Sequence, residues 1–166
     1  MKYAFTTEEL NKVERLSKEI EKLKRLCNVQ SKKVCADASD SEIGKWGLMA
    51  EYAVVSSCGQ NINMDLYQDH GDFGIDTIIK GKTLDVKFNG YRNGYLYFIS
   101  PKHFVADIGC LCVPGDDEYE IEMVGVISRK RFFQNCMQKD FGYGIRYVVK
   151  QDVLKPFKEF LEWSRT

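Results

Sequence analysis

With only two histidines and no Cys-x-x-Cys anywhere in 166 residues, the chain lacks the ligand spacing of a structural zinc site. Its six cysteines, at 27, 35, 58, 110, 112 and 136, are scattered, which argues against a disulfide scaffold and for reduced, mostly buried thiols. No apolar run approaches the length of a membrane span, and the N-terminus turns polar at once, so neither a transmembrane segment nor a signal peptide is expected. A cytoplasmic location follows as the expectation. There is also no net charge, 24 basic residues balancing 24 acidic ones, so any attraction to a polyanion has to come from local patches.

What is present is enough apolar material, 44% of residues, for one substantial core. The charges are unevenly spread. Basic residues gather between Lys12 and Lys33 and at Arg129, Lys130 and Arg131, whereas Asp116, Asp117, Glu118, Glu120 and Glu122 form an acidic run. Each patch reads equally well as a solvated face.

Thr6 followed by Glu9 is a capping-box pattern, and apolar residues recur after it at Leu10, Val13, Leu16, Ile20, Leu23 and Leu26. The spacing predicts an amphipathic helix. Its stripe suits either a seam for a second copy or partner protein, or docking on the chain's own body; docking is favoured. We divide the chain into an N-terminal helical extension, 1–35, and a main domain, 36–166. A second helix is expected from near Ser41 to Cys58, carrying Trp46, Met49, Glu51 and Ala53. Three extended runs follow, Gly74–Lys80, Thr83–Phe88 and Tyr95–Ile99, separated by turns at Gly81-Lys82 and Arg92-Asn93-Gly94, and they read as an antiparallel meander. Further strands are expected at Ile108–Val113, Ile121–Ile127 and Ile145–Lys150. A short helix running from Arg131 through Met137, and a last one capped by Asp152, complete the reading.

Chemistry concentrates in four residues. Asp85 and Lys87 are two apart on one strand, so they point to the same face, and a tight turn would lay their strand beside the one that begins with Asp76. A helix packed across that face by Trp46, Met49 and Ala53 would bring Glu51 to the same place. Clustered carboxylates repel unless compensated, and a hard divalent cation with oxygen ligands is the usual compensation, which favours Mg²⁺ over zinc. The backbone carbonyl of Val86 is a candidate extra ligand. Such a centre suits phosphodiester hydrolysis, with Lys87 orienting or helping to deprotonate the attacking water, or stabilising developing negative charge.

The ordered set Gly47-Leu48-Met49-Ala50-Glu51, Gly71-Asp72-Phe73-Gly74-Ile75-Asp76 and Leu84-Asp85-Val86-Lys87 resembles the PD-(D/E)xK, or restriction-endonuclease-like, nuclease superfamily, in particular its compact stand-alone members carried by phages and mobile elements. Ala106–Val113, Val124–Ser128 and Arg131-Phe132-Phe133 resemble the later core strands and the helix that follows, so the similarity covers roughly residues 41 to 162. The resemblance implies an α/β fold with an αβββαβ core, a central mixed sheet flanked by helices. It also implies a metal-dependent endonuclease rather than exonuclease, acting on nucleic acid, DNA before RNA. Mg²⁺ would be the cofactor, Mn²⁺ substituting, and the cytoplasm would be the host's if a phage encodes the chain. By position, Asp76 and Asp85 become metal ligands, Glu51 the helical acid and Lys87 the catalytic lysine. No proline precedes Asp76, and the segment through Val34 lies outside the common core.

Other residues carry weaker signals. Tyr91, Arg92 and Asn93 at the expected turn, and Arg129, Lys130 and Arg131 at a helix start, are candidates for contacts with bases and phosphates. His70 and Asp72 are second candidates for metal or substrate, against a role in shaping the turns at Gly71 and Gly74. Cys110 and Cys112 share a strand face but read as core residues rather than as a metal pair. A non-catalytic module that binds nucleic acid or protein on the same fold is the alternative function.

Overall fold

The computed structural model describes residues 1–26, 40–62, 74–142 and 144–166. Cys27, Cys35, His70 and Asp72, and the side chains of Leu23 and Leu26, lie outside them. The chain is mixed α/β, with four α-helices among the described residues and a curled mixed sheet. In order come β1 (Lys2–Ala4), α1 (Thr7–Leu26), α2 (Asp40–Ser57), β2 (Thr77–Ile79), β3 (Lys82–Phe88) and β4 (Leu96–Phe98), then β5 (Ile108–Pro114) and β6 (Glu120–Ser128). The chain closes with α3 (Arg129–Asn135), β7 (Met137–Asp140), β8 (Ile145–Val149), β9 (Lys155–Pro156) and α4 (Phe157–Arg165).

The main sheet runs β1-β6-β5-β3-β2, with β9 added beside β1 along β6, and a second sheet runs β4-β8-β7. Strand alternation gives the main sheet two apolar faces. Leu84, Val86, Cys110, Cys112, Ile121 and Met123 meet α1, α2 and α4 on one side. On the other, Leu111, Val113 and Ile127 meet the small sheet and α3 through Leu96, Phe98, Phe132 and Val149. The result is three layers: helices, main sheet, then small sheet with α3. Among the described residues no helix is long and apolar enough to cross a membrane.

α1 starts where its capping box requires. Glu9 N–H donates to Thr6 Oγ1 (3.2 Å), Thr6 N–H donates to Glu9 Oε2 (2.9 Å), and the Tyr3 hydroxyl donates to Glu9 Oε1 (2.5 Å). The helix is docked on the chain's own body, with Val13 and Ile20 buried in the main core and Leu10 and Leu16 packed against it. Because β1 also pairs with β6, the first twenty or so residues are built into the same core as the remainder. Burial pushes the Glu9 carboxyl up, but hydrogen bonds from Tyr3 and Thr6 outweigh it and hold the group below its ordinary range. The Tyr3 hydroxyl is pushed up to about 12, chiefly by burial and then by Glu9. A carboxyl lowered in the folded state adds stability above its unfolded pKa and loses it as pH falls through the folded one. The stability gap between wild type and Glu9→Gln should therefore be full at about pH 7 and close by about pH 3. Urea midpoints measured across that range check it.

Several expected elements are corrected. The three runs after α2 do not form a meander. β2 and β3 pair antiparallel, but β3 lies parallel to β5, and β4 leaves for the second sheet, where it pairs with β8. The cause is burial: Leu96 and Phe98 cover the face of the main sheet and cannot do so while hydrogen-bonded at its edge. The β2–β3 turn is Lys80-Gly81, one residue earlier than expected. Both have positive φ, 50° and 72°, as a two-residue hairpin whose twist matches its strands demands. Met137 lies in β7 and not in the short helix, which ends at Asn135. Asp152 does not cap α4. The helix starts after Pro156, because Lys155 and Pro156 first pair with Val126 and Gly125 of β6.

Candidate active site

Asp76, Asp85 and Lys87 are brought together at the β2–β3 pair. Thr77 pairs with Leu84, which sets Asp76, the residue before it, beside the stretch of β3 that carries Asp85. Asp76 N–H donates to the Leu84 carbonyl (2.8 Å), and beyond it the two strands part. Asp76 Oδ2 then takes the place of the missing strand, accepting from Val86 N–H at 2.5 Å. That bond lies in the plane of the sheet, as ladder bonds do. Residues that exchange ladder bonds direct N–H and C=O toward the same neighbour, so the Val86 carbonyl shares this edge with Asp76.

The Asp85 side chain is 0% exposed, and Asp76 as a residue is 4% exposed. Lys87 forms an ion pair with Asp85, and its side chain keeps 33% exposure. The Lys87 Nζ also lies 5.7 Å from the centroid of the Phe98 ring, which is stacked on Phe104 at 4.1 Å. An ion pair with an aromatic neighbour thus sits above a closely packed aromatic floor. Across the parallel ladder, Asp85 faces Gly109, where an added Cβ would lie 3.1 Å from Phe104 and 3.2 Å from Leu96. Gly74 closes the far side. At φ +75°, a Cβ there would lie 3.4 Å from both Asp85 Oδ2 and the His103 carbonyl. Gly109 and the turn Pro101–His103 are parts of this site that sequence reasoning missed. The glycine carried no pattern of its own, and the turn lies between two expected strands.

The helix that carries Glu51 packs on the other side of β3 from the one expected. α2 does not cross the face that bears Asp85 and Lys87. Trp46 stacks on Phe88 (5.4 Å, 10° between planes), and Leu48, Met49 and Ala53 join Leu84 and Val86, so α2 lies on the opposite face. Alternation dictates this, since an apolar helix stripe buries itself against the apolar residues of β3 and not its charged ones. Glu51 is half-buried on that helix. Among the described residues no group of three or more His, Cys, Asp or Glu side chains is gathered as a metal cage.

The donors that this hairpin offers would suit a hard cation. Two carboxylates and a backbone carbonyl are all oxygen, and Mg²⁺ characteristically takes one or two carboxylates and completes its shell with water. The thiols do not join them. Burial and a hydrogen bond with Cys112, the larger cause, push the Cys110 thiol well up, with the Asp85 charge adding to the effect, so Cys110 stays protonated inside the core.

The two expected nucleic-acid patches lie at opposite ends of β3. Beyond its C-terminus Tyr91 is 76% exposed, while Arg92 is occupied by Asp116 (2.6 Å) and the Gly115 carbonyl. The Asn89–Tyr95 segment is pinned by the Asn89 amide on the Tyr95 carbonyl (3.0 Å) and the Gln151 amide on the Arg92 carbonyl (2.7 Å). The acidic run therefore neutralises this end, binding Lys2 as well as Arg92. At the other end Arg129, Lys130 and Arg131 are exposed, and Ser128 Oγ caps α3 by accepting from Arg131 N–H (3.3 Å).

No protein-family model, curated protein or solved structure matches this chain. The geometry stands alone.

Proposed function

We propose that the chain is a metal-dependent nuclease with a restriction-endonuclease-like core, cutting phosphodiester bonds of DNA internally by attack of water. The observation that carries the reading is the burial of two carboxylates at one hairpin, Asp76 held on the β3 backbone and Asp85 within β3, with a partly exposed lysine paired to Asp85. Taking ions out of water costs several kcal/mol each, and an ion pair in their place is weak support for a fold, so such an arrangement points to chemistry. Asp76, Asp85 and the Val86 carbonyl would hold Mg²⁺ or Mn²⁺, with Glu51 as the further acid of the set. When bound, the ion supplies a lowered pKa for the attacking water and neutralises charge on the phosphate. Lys87 presents its ammonium at the solvent-facing side of the site. There it hydrogen-bonds the attacking water and meets the negative charge that grows on the phosphoryl oxygens. Phe98, Phe104 and Leu96 exclude water from beneath and keep Lys87 pointed outward.

The test is cleavage of labelled single-stranded, duplex and branched DNA and RNA with Mg²⁺ or Mn²⁺. Metal-dependent products that vanish with Asp85→Asn are the expected outcome. A second reading, a non-catalytic nucleic-acid-binding module, is favoured by the packing of α2, the helix of Glu51, on the face of β3 opposite Asp85 and Lys87. Absence of products with any substrate, together with no calorimetric Mn²⁺ binding, would decide for it.

A further inference from the structure

A cleft of about 630 Å³ opens at the end of the sheet away from Tyr91 and the acidic run, where β3 and β5 begin and β6 ends. Its floor is apolar, made by Ile108, Val126, Phe160 and Trp163, and its walls carry five cations, Lys82, Arg129, Lys130, Arg131 and Lys155, against Asp107 and Glu159. In a chain of zero net charge this is a strong local excess. The two acids offset only part of it. Asp107 is turned to Thr83, accepting from its N–H (3.1 Å) and hydroxyl (3.2 Å). These hydrogen bonds hold its carboxyl below the usual range, with Lys82 and Arg129 assisting. Arg129 is partly engaged by the Val105 carbonyl (3.1 Å). Lys82, Lys130, Arg131 and Lys155 form no ion pair among the described residues.

We infer that this cleft binds single-stranded nucleic acid, one base on Trp163 and the neighbouring phosphates on Lys82, Lys130, Arg131 and Lys155. Trp163 is 41% exposed, and its ring is met by Phe160 (5.4 Å) and by Lys80 Nζ at 5.7 Å. A base stacking on an aromatic contributes about 1–3 kcal/mol. An exposed lysine–aromatic contact contributes about 0.5–1 kcal/mol, so a base displaces Lys80, whose freed ammonium joins the phosphate contacts. Several cations spread around one aromatic floor suit a chain of phosphates better than a single anion. A stacked duplex offers no free base face to Trp163, which selects single strands. The cleft is distinct from the Asp76–Asp85–Lys87 centre. Lys82 is three residues before Asp85, about 10 Å along the strand, and the floor lies on the helix-bearing face. The inference deepens the nuclease reading, on which it rests only for the bound strand being substrate.

Binding of a short fluorescein-labelled oligodeoxythymidylate to the full chain in EDTA tests this without cleavage, read by anisotropy over a salt series. Trp163→Ala should weaken binding about tenfold. Lys130→Ala and Lys155→Ala should each flatten the salt slope by about 0.7. Circular dichroism separates these effects from unfolding, and the two lysines are exposed enough to change without harm to the core. No binding, equal or tighter binding of a duplex, or affinity untouched by all three substitutions would overturn the inference. A wild type that cuts nothing yet binds the strand in this cleft would end the nuclease reading and leave the inference standing.

Discussion

Lys87→Ala is expected to lower metal-dependent cleavage about a thousandfold, the loss that follows removal of a preorganised charge at a developing oxyanion. Lys87→Arg should recover only a small part, because a planar guanidinium cannot present the same point charge from that stem. Stability tells whether the pair is chemical or structural. Breaking a buried ion pair by removing one partner costs about 3–5 kcal/mol, and exposure of a third of the Lys87 side chain reduces this to about 2 kcal/mol. For a chain of this size that corresponds to a fall in Tm of about 6 °C. Asp85→Asn, isosteric and uncharged, should abolish cleavage while Tm stays level or rises, as it does when a strained functional group is neutralised. If Asp85→Asn lowers Tm as much as Lys87→Ala does, the pair serves the fold and the nuclease proposal loses its main support.

The largest effect on stability is expected at Gly125→Ala. A Cβ there would lie 2.3 Å from the Lys155 carbonyl oxygen and 3.0 Å from the Leu154 side chain. Backbone cannot yield as a side chain does, so β9 would have to leave β6. The outer edge of β6 is covered by β1 at residues 120–122 and by β9 at Gly125 and Val126, and losing half of that cover exposes an edge beside buried Leu154 and Phe157. We expect about 3 kcal/mol, or roughly 10 °C in Tm. Gly47→Ala is the contrast. It sits within α2 with nothing within 4 Å of an added Cβ, so it should stabilise by up to about 1 kcal/mol through helix propensity. Thermal unfolding of both variants under one protocol checks the pair; an unchanged Tm for Gly125→Ala would mean that β9 is dispensable.

The sequence by itself determined those features whose cause is local. The Thr6–Glu9 box, the stripe through Val13 and Ile20, the β-rich runs that became β5, β6 and β8, and the i, i+2 placement of Asp85 and Lys87 on one strand face all depend on helical or strand periodicity. That Asp76 and Asp85 come from the two arms of one hairpin was legible too, although the expected turn, one residue later, would have shifted the pairing by two residues. Tertiary structure alone decided which face each layer covers. Strand alternation marks two apolar sides of β3 and β5 but not which partner takes which side. α2, the helix of Glu51, went to the face of Leu84 and Val86, while Phe98 took the face of Lys87. Short strands such as β1, β7 and β9 were likewise illegible. Two to four residues carry no period, and they become strands only because an edge with unpaired amides and carbonyls is beside them. The cleft around Trp163 has the same origin: its cations come from β3, α3 and β9, far apart in the chain, and only the parallel β3–β5 pairing and the return of β9 along β6 set them around one floor.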